Sequence, residues 1–149
     1  MKLKFGFDIH GVIDALPKVF SVLTSLLVDA GHEVHIMTGS KWDENIEKQL
    51  RDLGIKWTHQ FSITDHHISI GTPMRYDPNP QHPWIDTGDK DKDNILWDKA
   101  KGDYCKEHGI DFHIDDTMRY NEYFETPFAR LWTHNNNPKP GYKDERHLA

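Results

Sequence analysis

Phe5-Gly6-Phe7-Asp8-Ile9-His10-Gly11-Val12-Ile13-Asp14 reads as a short strand that ends on a carboxylate and turns at once through a glycine. An aspartate at the carboxyl end of a first strand points into the crevice where open α/β sheets bind ligands. Gly11 lets the backbone turn tightly and present its N–H groups to an anion. A second acidic strand end comes late in the chain, at Ile114-Asp115-Asp116-Thr117. Two acidic strand ends so far apart in sequence point to one divalent-metal site assembled by folding.

Between them the pattern alternates. Val19, Phe20, Leu23, Leu26, Leu27 and Ala30 follow helical spacing, with Pro17 in the first turn and Gly31 as a stop. Glu33 to Met37 reads as a second strand, closed by Thr38-Gly39-Ser40. A helix is expected over 41–53, with Ser40 and Asp43 as a capping box, then a third strand over 55–63. The stretch 64–92 holds four prolines and two glycines and reads as an irregular insertion, with Ile68-Ser69-Ile70 as a candidate short strand. A helix over 94–108, a strand ending at Asp115, a short helix near 118–124 and a last strand over 128–132 complete the series. The expected fold is a Rossmann-like α/β domain, 1–134, with a mostly parallel sheet flanked by helices and a tail over 135–149. Asp8, Thr38 and Asp115 would then share one sheet edge.

Composition narrows the function classes. The chain has 149 residues, 36% of them hydrophobic, enough for one domain with its own core. A net charge of −6 argues against a broad nucleic-acid surface but not against a nucleotide substrate. The single cysteine, Cys105, excludes an intrachain disulfide. No apolar run approaches the length needed to span a membrane, so no membrane partner is expected. Met1-Lys2-Leu3-Lys4 runs straight into the first strand, so no signal peptide is expected and a cytoplasmic setting is the default.

Taken in order, Asp8-Ile9-His10-Gly11-Val12, the strand ending Thr38-Gly39, Lys101 and Asp115-Asp116 resemble the four motifs of the haloacid dehalogenase-like (HAD) superfamily. The resemblance implies a Mg²⁺-dependent phosphohydrolase acting on a small phosphorylated metabolite or nucleotide. It implies Asp8 as the nucleophile that forms an aspartyl-phosphate. The implied Mg²⁺ ligands are Asp8, the main-chain carbonyl of His10, and Asp115, with Asp116 direct or through water. The hydroxyl of Thr38 and the N–H of Gly39 would hold a phosphoryl oxygen. Lys101, with Lys99 as the neighbouring alternative, would balance the negative charge. His10 departs from the family pattern, which has a second aspartate there as acid–base group. Histidine, with an ordinary pKa near 6.5, is chemically able to serve.

The insertion stands where this family often carries a substrate-selecting cap. Arg75 is a candidate phosphate or carboxylate clamp, and Trp84 or Tyr76 a candidate base stacker. His66, His67 and His82 offer a zinc-site alternative without a recognised ligand spacing. The rival to an enzyme is a non-catalytic phosphate- or metal-binding protein on the same scaffold.

Overall fold

The computed structural model describes residues 1–133; the expected tail at 135–149 lies outside the described residues. Phe5 and Phe7 alternate with Gly6 and Asp8 along β1 (Lys4–Asp8), so one side of the strand is aromatic and the other small and polar. An irregular turn, Ile9–Ile13, leads to α1 (Pro17–Asp29), which returns the chain to β2 (Glu33–Thr38). Then come α2 (Glu44–Asp52), β3 (His59–Ser62) and α3 (Ile63–Ser69). A small hairpin, β4 (Met74–Arg75) with β5 (Trp84–Ile85), precedes the long α4 (Lys90–His108). The chain closes with β6 (Phe112–Asp115), a 3₁₀ helix (Met118–Tyr123) and β7 (Phe128–Arg130).

The main sheet has the order β3-β2-β1-β6-β7, and all four pairings are parallel. The chain winds outward from β1 to the β3 edge, then crosses back to β6 beside β1. The β1/β6 junction is therefore the point where strand order reverses, the usual place for a ligand crevice. The expected Rossmann-like α/β fold is what the structure shows.

Side-chain parity divides the interior. Phe7, Val34 and Ile36 join Phe20 of α1 with Ile46 and Leu50 of α2 in one apolar cluster. Met37, Phe61 and Ile63 join Ala100 and Cys105 of α4 in a second cluster, on the opposite face. Gly6 and Asp8 thus face α4, as do His113 and Asp115 of β6, whose neighbour Ile114 packs into the first cluster. The buried Asp98 carboxylate binds Arg119 at 2.9 and 3.0 Å and ties α4 to the 3₁₀ helix.

Several element limits differ from those read in the sequence. Helix α2 starts at Glu44, because Asp43 rather than Ser40 caps it, accepting from the Ile46 N–H at 2.9 Å. The Ser40 N–H is used instead by Thr38 Oγ1. Ile68-Ser69-Ile70 is the end of α3 and not a strand. Ser62 caps that helix through the Asp65 N–H at 3.0 Å, and burial of Ile63, Thr64 and His67 along one side holds it in place. Helix α4 begins at Lys90, four positions early, where Asp89 accepts from the N–H groups of Asp91 and Lys92. On α1 Phe20 and Thr24 are buried and Leu23 and Leu27 partly so, while Val19 and Leu26 face solvent. Thr24 fits the interior because its hydroxyl donates to the Phe20 carbonyl at 2.6 Å.

Candidate functional site

Asp8 and Asp115 lie one residue beyond the paired Phe7 and Ile114, at the carboxyl ends of two adjacent strands. Lys101 reaches them from the middle of α4. Its ammonium donates to Asp8 Oδ1 at 2.9 Å and to Asp115 Oδ2 at 2.7 Å, and all three side chains are buried. Lys99 points elsewhere, exposed and paired with Asp103 at 3.8 Å. Two positions apart on a helix, about 200°, the two lysines face opposite ways.

Asp116 completes the acidic group. Asp8, Asp115 and Asp116 each offer one oxygen, all within 4.8 Å of one another. Gly11 makes that proximity available. It adopts φ +81°, and a Cβ there would overlap the Asp116 carboxylate. The Gly11 N–H donates to Asp14 Oδ1 at 2.7 Å, which sets the turn.

Burial dominates the electrostatics here. It raises the pKa of Asp8 well above the usual carboxylate range, and the charge of Asp115 adds to the effect. Asp116 is pushed up to about 6, again by burial first and Asp115 second. Asp115 also meets the burial penalty, but Lys101 and then His113 outweigh it and hold its pKa low. For Lys101 burial works against the charge, and the carboxylates, Asp115 before Asp8, overcome it and raise its pKa. Three carboxylates therefore share one fixed cation, and the surplus negative charge is what a divalent ion would neutralise.

A cleft of about 640 Å³ opens above this cluster. Asp8, Lys101, Asp115 and Asp116 form its acidic end, with His10 beside them. The His10 side chain is exposed, and its Nδ1 lies 3.4 Å from Asp14 Oδ2. Gly39 lines the cleft, but Thr38 does not. Thr38 is fully buried, and its Oγ1 accepts from the Ser40 N–H at 3.2 Å, so it holds the loop that forms this wall.

The insertion candidates divide. Trp84 lines the cleft; Arg75 and Tyr76 do not. Arg75 pairs with Trp84 across the hairpin and its side chain is exposed, so a clamp on a ligand bound at Asp8 is not what it forms here. His66, His67 and His82 do not converge: no set of closely spaced ligand atoms among the described residues includes any of them. His67 is spent on Thr72 and the Leu96 carbonyl, whereas His82 sits in the cleft wall.

Three residues at or beneath the cleft were not singled out in the sequence. His113 Nε2 donates to Asp115 Oδ2 at 3.0 Å from a fully buried position, and burial lowers its pKa so that it is neutral. Its place two residues before Asp115 on one strand was the available signal. Trp97 lines the cleft and donates through Nε1 to the Tyr120 hydroxyl at 3.3 Å. Tyr120 in turn lies under the Lys101 ammonium, 5.2 Å from its ring centroid. Neither aromatic residue has a local pattern that marks it.

The fold and the site define a parallel α/β protein with a carboxylate-rich crevice at its switch point. No protein-family model matches the chain, and no curated protein shows detectable similarity to it. None of the helices among the described residues is long and apolar enough to cross a membrane.

Proposed function

We propose that the protein is a Mg²⁺-dependent phosphohydrolase of the HAD type that acts through an aspartyl-phosphate. The observation that carries this reading is the buried Asp8–Lys101–Asp115 cluster at the β1/β6 switch point, opening onto a cleft. Asp8, Asp115 and Asp116 fit a hard divalent cation, since they offer only oxygen and more negative charge than Lys101 balances. The main-chain carbonyl of His10 is the further ligand that the motif resemblance adds. Bound there, the ion supplies charge neutralisation for a phosphate placed among carboxylates.

The chain's own residues supply the rest. An oxygen of Asp8 forms a bond to phosphorus as the ester bond breaks. His10 gives its proton to the departing alkoxide. The neutral imidazole then takes a proton from water as that water attacks the aspartyl-phosphate, which frees phosphate and restores Asp8. Lys101 holds Asp8 in place and offsets its charge. Thr38 fixes the loop that presents Gly39 to the phosphate.

The test is a screen of phosphate monoesters with Mg²⁺, run on wild type, His10→Ala and His10→Asp. Wild type is expected to turn over, His10→Ala to lose about 10²–10⁴-fold, and His10→Asp to keep or raise activity. Equal rates in wild type and His10→Ala would remove His10 from the chemistry. An inactive wild type beside an active His10→Asp would favour the second reading, binding without turnover. The exposed position of the His10 imidazole is the observation behind that alternative.

Metal affinity should depend on pH with a definite sign. Asp116 titrates near 6 and Asp8 above the usual range, so both bind protons as the pH falls, and those protons compete with the ion. Mg²⁺ affinity is expected to be at least about tenfold weaker at pH 5 than at pH 7. Calorimetric titration at the two pH values checks this; a flat profile would exclude Asp8 and Asp116 as ligands.

A further inference from the structure

The cleft that holds the acidic cluster is also lined by proline and tryptophan side chains. We propose that it selects phosphate monoesters whose leaving group carries a flat aromatic ring, with Trp84 and Trp97 as the ring-binding walls. A nucleoside monophosphate is the source that fits best. This inference rests on the reading of the acidic end as a phosphate site.

Size is the first argument. About 640 Å³ falls within the range of pockets that hold whole small molecules, far more than a phosphate group fills. Besides the acidic cluster, the cleft lining includes Pro78, Pro83, Trp84 and Trp97, together with Asn79 and His82. Proline and tryptophan surfaces of this kind suit a flat ring.

The two indoles differ in a way that suits a clamp. Trp97 is fixed: Gly39 lies so close that a Cβ there would come within 2.6 Å of its Cζ2, and its Nε1 is held by Tyr120. Trp84 is the opposite case. It sits on a hairpin strand of two residues and is 57% exposed, although it lines the cleft. A large aromatic left in water at the mouth of a cleft is the kind of surface that a ligand covers. One indole is held and the other is open to solvent.

Charge sets the number of phosphates. Among the described residues, the cleft is lined by two lysines, Lys41 and Lys101, besides His10 and His82. Lys101 is already committed to Asp8 and Asp115. Arg75, the cation nearest in sequence to the hairpin tip, lies outside. With three carboxylates at its acidic end, the cleft suits one phosphate neutralised by a metal and a neutral ring, rather than a di- or triphosphate.

Calorimetric binding with Mg²⁺ present tests this without requiring turnover. Adenosine monophosphate, phenyl phosphate and glycerol phosphate are titrated into wild type, Trp84→Phe and Trp84→Leu. Adenosine monophosphate is expected to bind wild type at least about tenfold more tightly than glycerol phosphate. Trp84→Phe should keep most of that preference. Trp84→Leu, which fills space without stacking, should lose about tenfold for adenosine monophosphate and less than about twofold for glycerol phosphate. Phenyl phosphate matching adenosine monophosphate would support ring selection with a simple aryl ester as the source; a preference for adenosine monophosphate alone would support the nucleoside.

Equal affinity for the ring-bearing and aliphatic esters would overturn the inference. So would Trp84→Leu and Trp84→Phe behaving alike. Selective binding with no hydrolysis of any ester would sink the phosphohydrolase reading and leave ring selection standing. Hydrolysis of all esters alike, with equal binding, would do the reverse.

Discussion

Asp8→Asn is expected to lower turnover by about 10⁴-fold or more while leaving the fold intact. The substitution keeps the shape of the side chain and, on the proposed mechanism, removes the nucleophilic oxygen and one metal-binding charge. The fold should tolerate it, because burial already disfavours the ionised form of Asp8. Lys101 keeps its shorter contact, to Asp115 at 2.7 Å. The thermal midpoint should therefore move by no more than about 4 °C in either direction. Steady-state assays beside thermal unfolding separate the two effects. Turnover in Asp8→Asn at the wild-type rate would exclude Asp8 as nucleophile, and a collapsed midpoint would mean that the carboxylate holds the fold.

Lys101→Met should have the larger effect on stability. It leaves the side chains of Asp8 and Asp115, both buried, facing each other with no cation between them. Breaking a buried ion pair from one side costs about 3–5 kcal/mol. For a domain of this size that corresponds to a midpoint roughly 10–15 °C lower. The loss should depend on pH. In the variant the folded-state pKa of Asp8 rises further above its unfolded value, and Asp115 loses the main charge that holds its own pKa low. A group shifted in that direction costs nothing while it is protonated in both states, and its penalty grows as the pH rises past the unfolded value. Lys101→Met should therefore be closest to wild type near pH 4–5 and fall further behind by pH 8. Adding Asp115→Asn removes the surplus charge and should recover part of the loss. A midpoint deficit independent of pH, with no recovery in the double variant, would show that Lys101 acts by packing rather than by charge.

His113 gives the cluster a second support. It is buried and neutral, and it bonds Asp115 on the oxygen that Lys101 also uses. Asp115 is thus held from two sides before any ligand arrives, whereas Asp8 is held by Lys101. This asymmetry explains why Asp115 stays ionised while the pKa of Asp8 rises. On the proposed mechanism this ties the reactivity of Asp8 to metal binding.

The sequence by itself determined the alternation from β1 to β3, the later α4, β6 and β7, and the mostly parallel sheet, because those follow from local periodicity and breakers. It also determined that Asp8 and Asp115 end strands, since each closes an apolar run. It placed one lysine, not two, at the cluster, because helical pitch separates Lys99 from Lys101. Local caps shifted element ends: Asp43, Ser62 and Asp89 each outcompeted the starts that periodicity marked. The turn of Ile68-Ser69-Ile70 into helix was a tertiary decision, since a capped segment that buries Ile63 and His67 gains more there than a short strand would. The same holds for the walls of the cleft. Trp84, Trp97, Tyr120 and His10 come from separate parts of the chain, and no spacing rule relates them. Their meeting depends on how the hairpin and α4 pack around the sheet edge. The exclusion of Arg75 was decided there too: it lies opposite Trp84 in the hairpin, yet Trp84 lines the cleft and Arg75 does not.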